Sequence, residues 1–456
     1  MTSEQKIQKI LEIVAKRVTP SELEKAQELK VVNKIINRIK SLRKNVKVML
    51  CGSLSRDTHL RGERDFDIFV LFEDTVPREQ FEKEGIKIGL EALSGYEHWL
   101  EYSEHPYVKG IVDGYEVEIV PCYKVSKASE LKSAVDRSPF HARFLKRRLK
   151  PEQKKEVRLL KAFMKGIGCY GADISKEGFS GYLVELLILK YGTFLNCIKA
   201  ASTWKPETRI ALDEKHLKKC KAVGSLVFPD PTDPKRNVAS AVNIEQLARF
   251  VVASRIFLKR PSTRFFFGRK AKKYDVKYVA KLAKKRQLVA IKITLNSLEA
   301  RDTILGQLKR FKKLAANWLV RNGFVLLSDG IIDLEERIYC IIEVEESKLS
   351  DLKKIVGPPV FDEKNVLAFL KKHKNIVSGP RIENDRLVII EHVKGREAIL
   401  TLKSLALFLA KRGKDPLKTL LKSSRIMKNK EILLECKEPE FAAALGNFLE
   451  GKEVFF

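Results

Sequence analysis

The residues best suited to chemistry lie in one short stretch, from Cys51 to Val70. The largely apolar run Val46 to Leu50 reads as a strand entering the core, so Gly52-Ser53 falls where that strand ends and the backbone turns. With no side chain at Gly52, exposed N–H groups can approach an anion. The Ser53 hydroxyl and the Arg56 guanidinium add donors, which makes the turn suitable for cradling a triphosphate. After eleven intervening residues comes Asp65-Phe66-Asp67, leading into the apolar run Ile68 to Leu71. On a strand of period two, Asp65 and Asp67 share one face and repel each other. Sharing hard cations relieves that repulsion, and paired carboxylates beside a phosphate cradle are what two-metal phosphoryl transfer needs. Read alone, Asp65-Phe66-Asp67 would also suit a solvated edge strand.

A Gly-Ser followed by two acidic residues alternating with apolar ones resembles the signature of the nucleotidyltransferase superfamily. A third carboxylate is expected from the segment Tyr115 to Cys122, which reads with Tyr107 to Val112 as a hairpin turning at Asp113-Gly114. Alternation places Glu116 and Glu118 on one face and leaves both open. The superfamily pattern, an acidic residue a few positions before Pro, selects Glu118.

The elements that must position these residues follow in order. Residues 3 to 17 carry apolar positions at helical spacing, and Thr19-Pro20-Ser21-Glu22 restarts a helix with Thr19 as N-cap. Both helices are expected to brace the sheet. Arg78 to Leu93 is helical in pattern, Ser180 to Ala201 reads as one long apolar helix, and Asn243 to Leu258 as another. Arg260-Pro-Ser-Thr-Arg with Lys270 to Lys273 reads as a charged linker. Beyond it the order is strand (288–295), helix (304–320) and a hairpin-like pair (324–327 with 339–344), similar to RNP-like domains. Further expectations are helices over 365–372 and 399–411, and strands over 387–390 and 432–436.

The whole chain bounds the answer. Its 456 residues suggest about three domains, and the 44% apolar content is enough to fill them. A formal charge of +30 calls for a polyanionic partner. No apolar run reaches the length of a membrane span and the N-terminus lacks a signal peptide's apolar core, so a cytoplasmic protein is expected. The seven cysteines are scattered, with no Cys-x-x-Cys, and read as reduced thiols.

Glu118-Ile-Val-Pro-Cys-Tyr-Lys, Ser133 to His141, Val157-Arg-Leu-Leu-Lys161 with Tyr170-Gly171, Gly178 to Glu185, and Asp230-Pro-Thr-Asp-Pro-Lys-Arg-Asn237 together resemble the archaeal-type (class I) CCA-adding enzymes. The resemblance covers roughly residues 30 to 270. It implies template-independent addition of C, C and A to tRNA 3′ ends from CTP and ATP, with attack of the terminal hydroxyl on the α-phosphorus and release of pyrophosphate. By it, Ser53 and Arg56 hold the triphosphate and Asp65, Asp67 and Glu118 ligate two Mg²⁺ ions. His141, Lys161 and Tyr170 contact the nucleotide, and Arg236 sits at the base. Glu118 departs from the family's usual Asp. Each also has an ordinary reading: His141 as a surface or capping histidine, Lys161 as a solvated cation, Arg236 as a loop cation neutralising Asp230 or Asp233.

The fold expected is therefore α+β and multi-domain: a nucleotidyltransferase head (1–145), a helical neck that binds nucleotide (146–270), an RNP-like body (271–360) and a basic tail region (361–456). The body and tail would hold the tRNA acceptor and T arms, with Lys371-Lys372-His373-Lys374 and Lys411-Arg412 able to follow a phosphate backbone. No membrane partner is expected, and either a monomer or a homodimer is compatible with the sequence. The rivals are a poly(A) polymerase or oligoadenylate synthase of the same superfamily, and a catalytically silent RNA-binding scaffold.

Overall fold

A computed structural model describes residues 3–43, 46–102, 104–125, 130–133, 135–268, 274–295, 301–334, 336–394, 396–412 and 417–453. The expected linker cations Lys270 to Lys273 lie outside these residues, as does the side chain of Arg412. The chain divides into two units, 1–270 with 453–456 and 271–452.

In the first unit, α1 (Ser3–Val18) and α2 (Glu22–Leu42) precede a five-stranded sheet. The cap of α2 is Ser21, not Thr19. Its hydroxyl accepts from the Glu24 N–H (3.3 Å) while the Glu24 carboxylate accepts from the Ser21 N–H (2.6 Å), and the Thr19 N–H instead closes α1 on Ala15. The strands are β1 (Lys47–Leu50), β2 (Asp65–Glu73), β3 (Glu97–Tyr102), β4 (Pro106–Val112) and β5 (Tyr115–Lys124), with α3 (Arg78–Ala92) after β2. Their order is β1-β2-β5-β4-β3, with β2 and β5 parallel and the other pairs antiparallel. Phe66, Ile68, Val70, Val117 and Ile119 pack on α2 and α3. The opposite face carries Phe69, Leu71, Val120 and Cys122, which pack on Ala142 of α4 (Arg137–Arg148). Edge strand β3 escaped sequence reading because it is mostly exposed and lacks an apolar alternation.

The helical part comprises α5 (Pro151–Gly166), α6 (Gly181–Tyr191), α7 (Phe194–Ala201), two short ladders (β6 Thr208–Arg209 with β7 Leu226–Val227, β8 Pro229–Asp230 with β9 Asp233–Asn237), α8 (Glu214–Lys219), α9 (Ile244–Lys259) and α10 (Arg264–Phe267). Its core gathers Phe163, Phe179, Phe194, Phe250, Phe257, Phe265 and Phe266. Two expectations change here. The stripe Ile7, Ile10, Leu11, Val14 joins this helical core, so of the first two helices α2 alone braces the sheet. The single helix expected from 180 to 201 is two, bent by 96°. Gly192 (φ 80°) ends the first, and Thr193 caps the second by accepting from the Asn196 N–H. Among the described residues no single helix is long and apolar enough to cross a membrane.

The second unit holds α11 (Val276–Ala283), β10 (Gln287–Thr294), α12 (Arg301–Arg321), β11 (Leu326–Asp333), β12 (Arg337–Val344), β13 (Leu352–Pro359), α13 (Glu363–Lys372), β14 (Ile376–Glu383), β15 (Arg386–His392), α14 (Ala398–Arg412), α15 (Leu417–Lys422), β16 (Arg425–Lys428), α16 (Asn429–Glu435) and α17 (Pro439–Glu450). The β-α-β-β order forms an antiparallel sheet β11-β12-β10-β16, and β13-β15-β14 forms a second. The boundary expected at 360 falls inside this unit, since β13 pairs with β15 across it and β16 returns to β10. Residues 432–436, expected as a strand, belong to a helical turn. Glu431 accepts from the Lys428 N–H at the helix start, and burial of Ile432 and Cys436 with Leu434 61% exposed follows helical spacing. All seven cysteines are buried and free.

Candidate active site

The turn after β1 is locked onto β2. The Cys51 N–H donates to the Asp67 carbonyl (2.9 Å), and Gly52 sits at φ 62° with Asp67 Oδ2 only 1.9 Å from where a Cβ would stand. No other residue fits there. Ser53 opens a single 3-10 turn, Leu54–Arg56, and its carbonyl accepts from the N–H groups of Arg56 and Thr58.

The parallel register sets Asp67 opposite Glu118 and Asp65 opposite Glu116. From β4, the Lys109 ammonium lies 2.6 Å from Glu116 and 3.1 Å from Glu118. One ammonium among four carboxylates leaves excess negative charge. Burial and Glu118 push the Asp67 carboxyl up to about 7. Lost hydration and Glu116 raise Asp65, and burial raises Glu118 despite Lys109. Oxygen ligands whose repulsion is unrelieved by the protein suit hard divalent cations. Among the described residues no three acidic, His or Cys side chains already converge on a common point, Glu118 being drawn to Lys109.

Beneath the turn, the Arg56 guanidinium pairs with Glu185 of α6, Nε to Oε1 at 3.0 Å and Nη2 to Oε2 at 2.9 Å. Arg56, expected to hold the triphosphate, is thus engaged with Glu185, although its Nη1 is not part of that fork. The Thr58 hydroxyl also donates to Glu185, and the buried Lys161 ammonium donates to the Thr58 carbonyl at 3.1 Å. Burial lowers the Lys161 pKa, while Arg56 and Lys161 hold Glu185 low against its own burial. A side chain added at Gly181 would meet the Tyr170 hydroxyl at 2.9 Å and lie 4.0 Å from Lys161 Cε, so Tyr170 belongs to the same cluster.

The other expected residues meet around Asp230, which is buried. The His141 Nε2–H donates to it at 2.8 Å, Arg236 Nη1 at 3.1 Å and the Tyr182 hydroxyl at 3.2 Å, and Thr232 donates through N–H and hydroxyl. His141 stacks on Tyr182, ring centroids 3.7 Å apart and planes 12° apart. Burial would raise the Asp230 carboxyl, but His141 and Thr232 hold it well below the usual range. Arg236 therefore has the Asp230 partner that its ordinary reading assigns, with 35% of its side chain still exposed.

Residues 32–141 match the family described as Nucleotidyltransferase domain, residues 155–267 the tRNA nucleotidyltransferase second domain, and residues 286–442 the CCA-adding enzyme C-terminal domain. The CCA-adding enzyme of Methanococcus maripaludis is 37% identical over 80% of this chain and 85% of its own length. That of Methanocaldococcus jannaschii is 38% identical over 81% and 85%, and that of Methanosarcina mazei 32% over 95% and 96%. The chain belongs to the CCA-adding enzymes. It is accordingly a tRNA nucleotidyltransferase, and in this CCA-adding enzyme the carboxylates and the Gly52 turn fall within the first matched domain, Lys161, Tyr170, Glu185 and Arg236 within the second.

Sequence reading gave no role to Glu185, Thr58, Lys109 or Tyr182, and named Asp230 only as a partner open to Arg236. Glu185 had a signal: a lone acid inside Tyr-Leu-Val-Glu-Leu-Leu-Ile-Leu has to find a buried cation. Lys109 had one too, as the lone charge in an otherwise apolar strand.

Proposed function

We propose that this CCA-adding enzyme extends tRNA 3′ ends with C, C and A from CTP and ATP at a single site built on Asp65, Asp67 and Glu118. The observation that carries this is the facing of Asp67 and Glu118 across parallel strands, directly beside a glycine turn that admits no side chain. Asp65, Asp67 and Glu118 hold two Mg²⁺ ions, which when bound make the attacking 3′-hydroxyl more acidic and offset charge on the leaving pyrophosphate. The backbone of Gly52 and Ser53 with the Ser53 hydroxyl cradles the triphosphate. Arg56, oriented by Glu185, presents Nη1, and Lys161 adds positive charge from below. His141 and Tyr170 border the nucleotide, and Arg236, steadied by Asp230, reads the base edge. The remaining positive charge of the chain binds tRNA through its acceptor and T arms by shape and phosphate contacts.

The test incubates the protein with tRNA lacking CCA, Mg²⁺ and labelled CTP or ATP singly and together, reading the 3′ ends. Expected are two C residues with CTP alone and a final A when both are present, and loss of both additions in Asp67→Asn with RNA binding retained. Long A tails would instead identify a poly(A) polymerase, and loss of only one addition in the variant would require two active sites.

A further inference from the structure

Helix α4 carries five cations, Arg137, Arg143, Lys146, Arg147 and Arg148, and no acidic residue. Arg143, Arg147 and Arg148 have no carboxylate partner among the described residues, yet Arg143 and Arg148 are not loose. Arg143 lies over the Phe140 ring at 4.9 Å and Arg148 over Phe144 at 5.7 Å, and Arg143 Nε donates to the Pro139 carbonyl. With Phe140, Phe144 and Thr232 these three arginines bound a cavity of about 420 Å³. Guanidinium groups held in place without an anion to meet suit bidentate capture of phosphate oxygens.

Helix α4 borders the reaction site, with the cavity on its outward side. Ala142 of α4 packs on Phe69, Leu71, Val120 and Cys122, which by strand alternation share a sheet face with Asp67 and Glu118. The helix also packs against the Leu54–Arg56 turn. Thr232, on the cavity wall, donates to the same Asp230 that holds Arg236 and His141.

We propose that this cavity binds the phosphodiester backbone of the RNA strand being extended, an assignment that rests on the function proposed above. Spacing favours a strand over the incoming triphosphate. Arg143 and Arg147 stand one helical turn apart, roughly 6 Å along the axis. Successive phosphates of a strand are separated by a whole sugar, whereas those of a triphosphate are separated by one oxygen.

The test measures binding of the full chain to an RNA minihelix of acceptor and T arms lacking CCA, by fluorescence anisotropy over a series of KCl concentrations. Arg143→Gln/Arg147→Gln is expected to flatten the slope of log K against log salt by about 1.4, at roughly 0.7 per contact to a single strand. Arg147→Lys, which keeps its charge, should hold most of the slope, and KM for CTP should stay within about twofold. If the double variant fails to fold, Arg147→Gln alone serves, being exposed at the last turn of the helix. An unchanged slope leaves only a solvated cationic helix end and overturns the proposal. So does a rise in KM for CTP with RNA binding intact, which assigns the cavity to the triphosphate. The slope is read without any nucleotide addition, so an inactive wild-type protein would remove the proposed reaction while this comparison still stands or falls by itself.

Discussion

Arg56 and Glu185 lie 129 positions apart and meet through two parallel hydrogen bonds of 3.0 and 2.9 Å, with the carboxylate fully buried. The turn from Gly52 to Arg56 is thereby pinned to the apolar helix α6. An Arg–carboxylate fork of this kind fixes both distance and plane, so the orientation of the guanidinium is set before any nucleotide arrives.

Glu185→Gln should accordingly weaken the enzyme in two ways. Removing one charge leaves the Arg56 and Lys161 cations in the interior without it, a change that costs about 3 to 5 kcal/mol in buried pairs and is measurable by denaturant unfolding. Freed of its fork, Arg56 loses its orientation, so KM should rise by similar factors for CTP and ATP. Unaltered KM values for both would detach Arg56 from nucleotide binding.

Gly52→Ala tests the closeness of turn and carboxylate. The added methyl meets Asp67 Oδ2 at 1.9 Å and the backbone stays at φ 62°. The conformational strain is about 1 to 2 kcal/mol, modest beside the displacement forced on Asp67. The expected outcome is a fall in kcat of at least about a hundredfold with a small shift in melting temperature. Full activity in this variant would mean that the Asp67 side chain does not work from where it stands.

Arg236→Ala should erode the choice of C and A over U and G more than it erodes triphosphate affinity. Cytosine and adenine place an amino donor beside a ring-nitrogen acceptor, where uracil and guanine place a carbonyl beside an N–H. A guanidinium facing the latter is mispaired by about 1 to 3 kcal/mol. Incorporation of all four nucleotides at matched Mg²⁺ measures it, and unchanged selectivity would leave Arg236 as the partner of Asp230 and nothing more.

Asp230 gives a pH dependence with a defined sign. Its folded carboxyl titrates below the ordinary value of 3.8, because His141 and Thr232 hold it down against burial. As acid is added below about pH 4, the unfolded state takes up this proton first, so stability falls with falling pH. Asp230→Asn should be less stable than wild type at about pH 5 and show a shallower loss as the pH falls further. Urea unfolding at a series of pH values reads both limbs; parallel curves throughout would show that this carboxylate does not drive the acid response.

What could be read from the sequence followed the reach of its patterns. Asp65 and Asp67 share a face because strand alternation is a local rule, and the Gly52 turn was visible because only a missing side chain explains it. The Arg56–Glu185 and Asp230–His141 contacts were not, since they join segments that no periodicity connects, whereas the Asp230–Arg236 pair lies within one loop and was open to reading. Thr193 and Gly192 form a legible stop and start, but the apolar stripe running across them outweighed it. Ile432 to Cys436 is an apolar run too short for its period to separate helix from strand. The resemblance supplied the residue set, while the partners each residue takes had to come from the fold.

The pairing of β16 with β10 also has a consequence for biosynthesis. Strand β10 leaves the ribosome early, but Arg425 to Lys428, which cover its flank from Val289 to Lys292, are made only after the whole intervening stretch. At roughly 5 to 20 residues per second that interval is on the order of ten seconds. Throughout it, a strand with apolar Val289, Ala290 and Ile291 offers an unpaired edge to any neighbouring nascent chain. A message truncated upstream of Arg425 would make that exposure permanent, so such fragments should be recovered as aggregates or chaperone complexes rather than as a smaller working enzyme.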